Sequence, residues 1–83
     1  MANMSDETRS NRLTAAALAA MKPGGRSRLF RCDTAAELES ARRNAYYIKQ
    51  HCPRPDGGEY AISCSLRSMV VAVSVRPKAE EGI

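Results

Sequence analysis

The sequence lacks the residues from which a deep hydrophobic core is built. It has no tryptophan and one phenylalanine, and thirteen of the apolar residues in this 83-residue chain are alanine. Small domains bury a small share of their surface, so we expect one thin core. These shortages exclude a large catalytic domain and an elaborate buried cofactor pocket, and the length provides for a single domain.

Long hydrophobic runs are also missing. The longest, residues 15–21, has seven residues and is mostly alanine, whereas a membrane-spanning helix needs about 20. Residues 1–7 carry acids and no hydrophobic segment, which is unlike a signal peptide. The last four residues contain no cysteine that could be prenylated. We therefore predict a cytoplasmic protein with no membrane partner.

Groups that catalyse reactions are scarce. His51 is the only histidine, and no serine lies in a G-x-S-x-G motif. Glu37 and Glu39 are two residues apart, so they cannot face each other on a helix. The glycines at 24 and 25 are followed neither by a P-loop lysine nor by a helix pattern. The sequence therefore predicts a protein that is not an enzyme and holds no cofactor.

The three cysteines, Cys32, Cys52 and Cys64, are odd in number and form no C-x-x-C pair. This usage favours free thiols in a reducing compartment over a disulfide framework. A zinc site that adds His51 is the alternative, but His51 and Cys52 are neighbours, and neighbours on a helix point about 100° apart. Because no standard ligand spacing is present, we expect buried structural cysteines and no metal.

Local patterns predict two helices. An alanine-rich segment from residue 11 or 12 to Met21 favours a short helix, which Pro23 and the following glycines end. The pair Thr34 and Glu37 forms a capping box, in which the glutamate reaches back to the cap amide. A long helix follows it up to Pro53. Its apolar stripe recurs every three or four residues: Leu38, Ala41, Ala45, Ile48 and Cys52.

Three segments are typical of strands. The first is 27–32, where we expect Phe30 and Cys32 to point inward and Arg31 to face solvent. Residues 59–65 and 69–76 alternate between larger and smaller side chains, and 66–68 joins them as a tight hairpin. The first strand lies parallel to the second or, if the third inserts between them, antiparallel to the third.

The predicted fold is therefore α+β: a three-stranded sheet with a long helix on one face (βαββ), preceded by a short N-terminal helix. We place the domain at 11–77, with disordered tails at 1–10 and 78–83. The second face of the sheet carries small, uncharged side chains, so we expect the first helix or another subunit to cover it. We favour the helix, with Leu13, Ala17 and Met21 as its contacts, and a monomer or weak dimer. The residues of that face are Ala61, Ser63, Ser65, Val70, Ala72 and Ser74.

The layout also resembles a family. Four features are similar to those of small uncharacterised βαββ proteins of phages and conjugative elements. They are the segment from Leu18 through Met21 to Pro23-Gly24, the pair Phe30 and Cys32, the alanine-rich helix with Tyr46-Tyr47, and the alternating valines that end at Arg76. The resemblance covers residues 13–76. It implies an origin in a mobile element, and it carries over no functional residue.

Positive charge is concentrated in one part of the chain. The formal net charge is +4, and residues 22–54 hold eight basic and three acidic residues. Ten arginines against three lysines are typical of phosphate recognition, although a GC-rich genome also favours arginine. On the long helix, Arg42, Tyr46 and Lys49 form one stripe, and Arg43 begins a second with Tyr47.

These stripes suggest contact with DNA or RNA, because guanidinium groups neutralise phosphates and tyrosines stack on bases. A solvated helix face is the alternative interpretation. A protein-interaction module, such as an adaptor, an inhibitor or a virion component, is the alternative function. The predicted nucleic-acid-binding residues are Arg28, Arg31, Arg42, Arg43, Tyr46 and Lys49.

Overall fold

The computed structural model describes residues 7–77, which form a four-stranded sheet, one long helix and two short helical segments. In chain order the elements are β1 (Glu7–Arg9), a 3-10 helix (Ser10–Arg12), α1 (Ala15–Ala19), β2 (Arg28–Arg31), α2 (Ala35–His51), β3 (Glu59–Ser65) and β4 (Val70–Arg76). The strand order is β1-β2-β4-β3. The predicted α+β fold is confirmed: β2, β4 and β3 form the antiparallel sheet under a long helix. The last strand lies between the other two, so the antiparallel alternative for β2 applies.

Helix α2 begins at the predicted cap. The Thr34 hydroxyl oxygen accepts a hydrogen bond from the Glu37 amide at 3.1 Å. The Glu37 carboxylate accepts from the Asp33 amide at 2.7 Å, one residue before the expected donor. The predicted stripe is buried as far as Ile48. Cys52 does not belong to it, because the helix ends at His51 and Cys52 leaves the helical path as an exposed cap.

The core lies between α2 and one face of the sheet. Phe30 and Cys32 point inward and Arg31 outward, as predicted. Phe30 pairs with Val71, and both are fully buried. Ile62 is partly buried and packs against the core. The buried cluster comprises Leu13, Leu18, Phe30, Cys32, Leu38, Ala41, Ala45, Ile48, Tyr60, Val71, Val73 and Val75.

Ordered structure begins before residue 11. Strand β1 pairs in parallel with β2, with Glu7 opposite Leu29 and Arg9 opposite Arg31. The predicted tail at 1–10 is therefore wrong for residues 7–10, which form this strand and the start of the 3-10 helix. Residues 1–6, and the predicted tail at 78–83, lie outside the described residues. A short parallel strand satisfies its backbone groups by pairing with a distant segment, which no local periodicity reveals.

The first helix is shorter than predicted and packs on the α2 side of the sheet. Thr14 caps α1 by accepting from the Ala17 amide at 3.1 Å, so Leu13 precedes the helix. Leu13 and Leu18 are buried with Phe30 in the cluster beneath α2. The expectation that this helix covers the small-residue face is therefore wrong. Leu13 and Leu18 are the two buried apolar side chains of residues 13–21, and both belong to the core on the α2 side of the sheet.

The opposite face of the sheet carries no helix among residues 7–77. Its small side chains are half-buried or exposed, apart from Val70, which is 8% exposed. Strand β3 forms one edge of the sheet. The turn before β4 places Met69 in the left-handed region at φ 56°. This conformation costs a non-glycine residue energy, and Met69 also packs against the core.

Candidate nucleic-acid interface

The predicted basic stripes lie on the outer surface of α2, and one acid partly neutralises them. Arg42 Nη2 lies 2.9 Å and Arg43 Nε 3.2 Å from the same Glu39 carboxylate oxygen. These two hydrogen bonds, that from Arg42 first, lower the pKa of Glu39. The Glu39 carboxylate in turn raises the pKa of Arg42. Two guanidinium groups therefore share one negative charge, which leaves a single net positive charge at this point.

Two tyrosines stand beside these arginines. Tyr46 is 44% and Tyr47 is 59% exposed, which is unusual for large side chains in this molecule. The Arg42 guanidinium lies 6.0 Å from the centre of the Tyr46 ring, within the range of a cation–π contact. Tyr47 contacts the His51 ring at a centroid distance of 4.4 Å. Both tyrosine rings keep surface that a base could stack on.

Lys49 ends the first stripe next to an acid of the neighbouring strand. Its Nζ lies 3.8 Å from the Glu59 carboxylate at the start of β3. The stripe of Arg42, Tyr46 and Lys49 thus follows the edge strand β3. Each of its cations faces a carboxylate, and exposed pairs of this kind contribute little to stability.

The other two predicted residues do not join the stripe. Arg28 lies on β2, two strands away from β3, and its guanidinium is 5.6 Å from the Phe30 ring centre. Arg31 is exposed on the opposite face of the sheet, since Phe30 beside it points into the core. The structure therefore brings together Arg42, Arg43, Tyr46 and Lys49 and separates Arg28 and Arg31 from them.

Arg28 instead borders a cleft that the sequence did not predict. Its volume is about 400 Å³, and it is lined by Asn11, Arg12, Thr14, Ala17 and Arg28. Within residues 7–77, neither Arg12 nor Arg28 pairs with a carboxylate. None of the described residues that line it is acidic. The two arginines are sixteen positions apart in separate elements, so no local spacing pointed to this site.

Arg54, also counted in the basic segment, has a structural role. Its side chain is 6% exposed and pairs with Asp56 at 2.8 Å. Nη1 donates to the Leu18 carbonyl oxygen at 3.1 Å, and Nη2 donates to that of Met21 at 2.7 Å. The hydrogen bond to Asp56 raises the pKa of Arg54, and Arg54 lowers that of Asp56. This charge is used inside the fold and is not available to a ligand.

The groups of the alternative zinc site are not gathered. Cys32 is buried, as expected, whereas the expectation of buried cysteines is wrong for Cys52 and Cys64, which are exposed; all three are free. Burial raises the pKa of the Cys32 thiol. In the part of the chain that the structure describes, no three His, Cys, Asp or Glu residues are placed to hold a metal ion. None of the helices there is long and apolar enough to cross a membrane.

Comparison with known proteins adds no relative. No family model matches the sequence, no curated protein is similar to it, and no solved structure matches its fold.

Proposed function

We propose that this chain is a small, non-catalytic binding protein that contacts nucleic-acid phosphates through the outer face of α2. The observation that carries the proposal is the pair of exposed tyrosines beside Arg42 and Arg43. Basic side chains neutralise phosphates while aromatic rings stack on bases, the combination used to bind single strands. The proposed contacts on α2 are Arg42, Arg43, Tyr46 and Lys49.

Overall charge supports the same proposal. Residues 7–77 contain twelve Lys and Arg against six Asp and Glu, which attracts a polyanion. As part of the proposal, the protein is cytoplasmic and belongs to a phage or another mobile element. The three free thiols support a reducing compartment.

The experiment is an electrophoretic shift assay with generic single-stranded DNA and RNA at two salt concentrations. Replacing Arg42, Arg43 and Lys49 together with alanine should weaken binding strongly. The slope of log K against log salt should fall by about 0.7 to 0.9 for each lost phosphate contact. The control replaces three exposed cations away from α2, Lys22, Arg26 and Arg67, and should weaken binding much less. Absence of binding by the wild type at low salt would contradict the proposal.

The second candidate function is a protein-interaction module. It is favoured by the open sheet face of small side chains and by β3, an edge strand whose unpaired backbone groups can accept another strand. This second function would be supported if the wild-type chain does not bind nucleic acid but forms a dimer or binds another protein through this face.

A further inference from the structure

We propose that the cleft between the 3-10 helix, α1 and β2 is a binding site for a phosphate group, separate from the face of α2. It is lined by Asn11, Arg12, Thr14, Ala17 and Arg28 and has a volume of about 400 Å³. The ligand class is a phosphate ester or diester. Its source is either a nucleic-acid backbone or a free phosphorylated small molecule.

The charges of the lining favour an anion. Arg12 and Arg28 both border the cleft, and neither has a carboxylate partner in residues 7–77. Two other clefts each include an acid, Glu37 in one and Glu59 in the other. Among the described residues, the cleft between the 3-10 helix, α1 and β2 is thus lined by two guanidinium groups and by no carboxylate. The planar fork of arginine matches the oxygen geometry of phosphate.

The remaining lining supplies neutral donors. The Thr14 hydroxyl oxygen accepts from the Ala17 amide at 3.1 Å. Thr14 lines the cleft, and its hydroxyl keeps a hydrogen to donate, because one hydroxyl both accepts and donates. The side-chain amide of Asn11 adds two N–H donors. The lining thus offers both charged and neutral hydrogen-bond donors, which suits the oxygens of a phosphate group.

Both arginines stand on fixed backbone. Next to Arg12, Leu13 is 2% exposed, and its carbonyl oxygen accepts from Asn44 Nδ2 at 2.7 Å. Arg28, on β2, is in register with Val73 of β4, and its guanidinium lies against the Phe30 ring. A site held on rigid elements loses little entropy when a ligand binds. The placement therefore provides for binding without rearrangement of the fold.

The test is an NMR titration of the full chain with sodium phosphate against sodium chloride at constant ionic strength. We expect saturable shifts concentrated on residues 11–17 and 28. The double variant Arg12→Gln with Arg28→Gln should bind at least about tenfold more weakly, since hydrogen bonds to charged groups are among the stronger ones. Arg12→Gln alone, at an exposed side chain, should also weaken binding and leaves the Phe30 contact intact.

A matched control removes the same charge elsewhere. Lys22→Gln with Arg67→Gln should leave the dissociation constant unchanged. The triple α2 variant should also keep phosphate binding, which separates this site from the proposed nucleic-acid face. If a single-stranded oligonucleotide displaces phosphate, the phosphate group that the site binds belongs to a nucleic-acid backbone. If a nucleoside monophosphate displaces phosphate and the oligonucleotide does not, it belongs to a free small molecule. Shifts spread over all basic residues, or equal loss in the control, would overturn the proposal.

Discussion

Arg54 holds the end of a helix that lies 36 residues earlier in the chain: its Nη1 donates to the carbonyl oxygen of Leu18. The Leu18 carbonyl oxygen accepts from the Met21 amide in the turn that ends α1. Arg54 adds a second donor to it and also donates to the Met21 carbonyl oxygen just beyond the helix. Asp56 fixes the guanidinium from the other side. A five-residue helix is too short to persist alone, so this contact anchors α1 to the core.

Arg54→Lys should therefore lower the melting temperature, by roughly 4 °C or more for a domain of this size. Lysine carries its donors on a single nitrogen, which cannot occupy the separate positions from which Nε, Nη1 and Nη2 of Arg54 reach Asp56 and the two carbonyl oxygens. The measurement is a thermal melt followed by circular dichroism. Arg67→Lys, in the exposed turn before β4, is the control and should melt like the wild type. Equal melting of both variants would mean that Arg54 does not anchor α1.

The Asp56 carboxylate makes stability depend on pH. Its pKa is lowered in the folded chain, mainly by the hydrogen bond from Arg54 and then by that from the Gly58 amide. A depressed carboxyl pKa stabilises the fold at neutral pH. This contribution fades as pH falls below the unfolded pKa of about 3.9 and is gone below the folded pKa. Asp56→Asn should thus be less stable than the wild type at pH 7.

The gap between Asp56→Asn and the wild type should shrink as pH is lowered through 4 toward 2. Urea denaturation of both proteins at pH 7 and pH 3 measures it. A gap of the same size at both pH values would show that the ionised carboxylate is not what stabilises this turn.

Ala45 lies in the middle of the buried face of α2 and is fully buried. Ala45→Leu should destabilise the fold by roughly 1 to 3 kcal/mol, because the packed core has no space for three more carbon atoms. Urea denaturation gives the free energy of unfolding. Ala36→Leu, on the exposed first turn of the same helix, is the matched control and should stay within about 0.5 kcal/mol of wild type.

The three thiols should differ in reactivity. Cys52 and Cys64 are exposed, whereas Cys32 is 3% exposed and its pKa is raised by burial. Because the thiolate is the reactive form, a thiol reagent should modify two cysteines quickly in the native protein. The third should react only on unfolding. Mass spectrometry of the labelled chain counts them, and rapid labelling of Cys32 would contradict its place in the core.

Elements with a local signal were predicted from the sequence. The capping box at Thr34, the stripe from Leu38 to Ile48 and the alternation of β3 and β4 each express a period of one element. Strand β1 carries no such signal, because three residues paired to β2 depend on a distant partner. The side on which α1 packs was also out of reach, since an alanine-rich helix presents similar surface in every direction.

The candidate site also contains one feature that has a local sequence signal and another that has none. Glu39 lies three and four residues before Arg42 and Arg43, a spacing that predicts ion pairs on a helix. The sequence therefore already contained a signal that Glu39 partly neutralises these two arginines. The placement of Arg12 and Arg28 along one cleft depends instead on the packing of the N-terminal segment beside β2. No spacing rule reports such a placement.

The order of strands has a consequence for synthesis on the ribosome. Strand β4 lies between β2 and β3 in the sheet but is the last of the strands within residues 7–77. Before Val70–Arg76 is made, β2 and β3 have no strand between them, and Phe30 has no Val71 to pack on. A growing chain can therefore form α2 early but cannot cover its apolar stripe. Closing the sheet requires contacts between distant residues, so we expect folding to be a late, concerted step and the nascent chain to expose apolar surface until then.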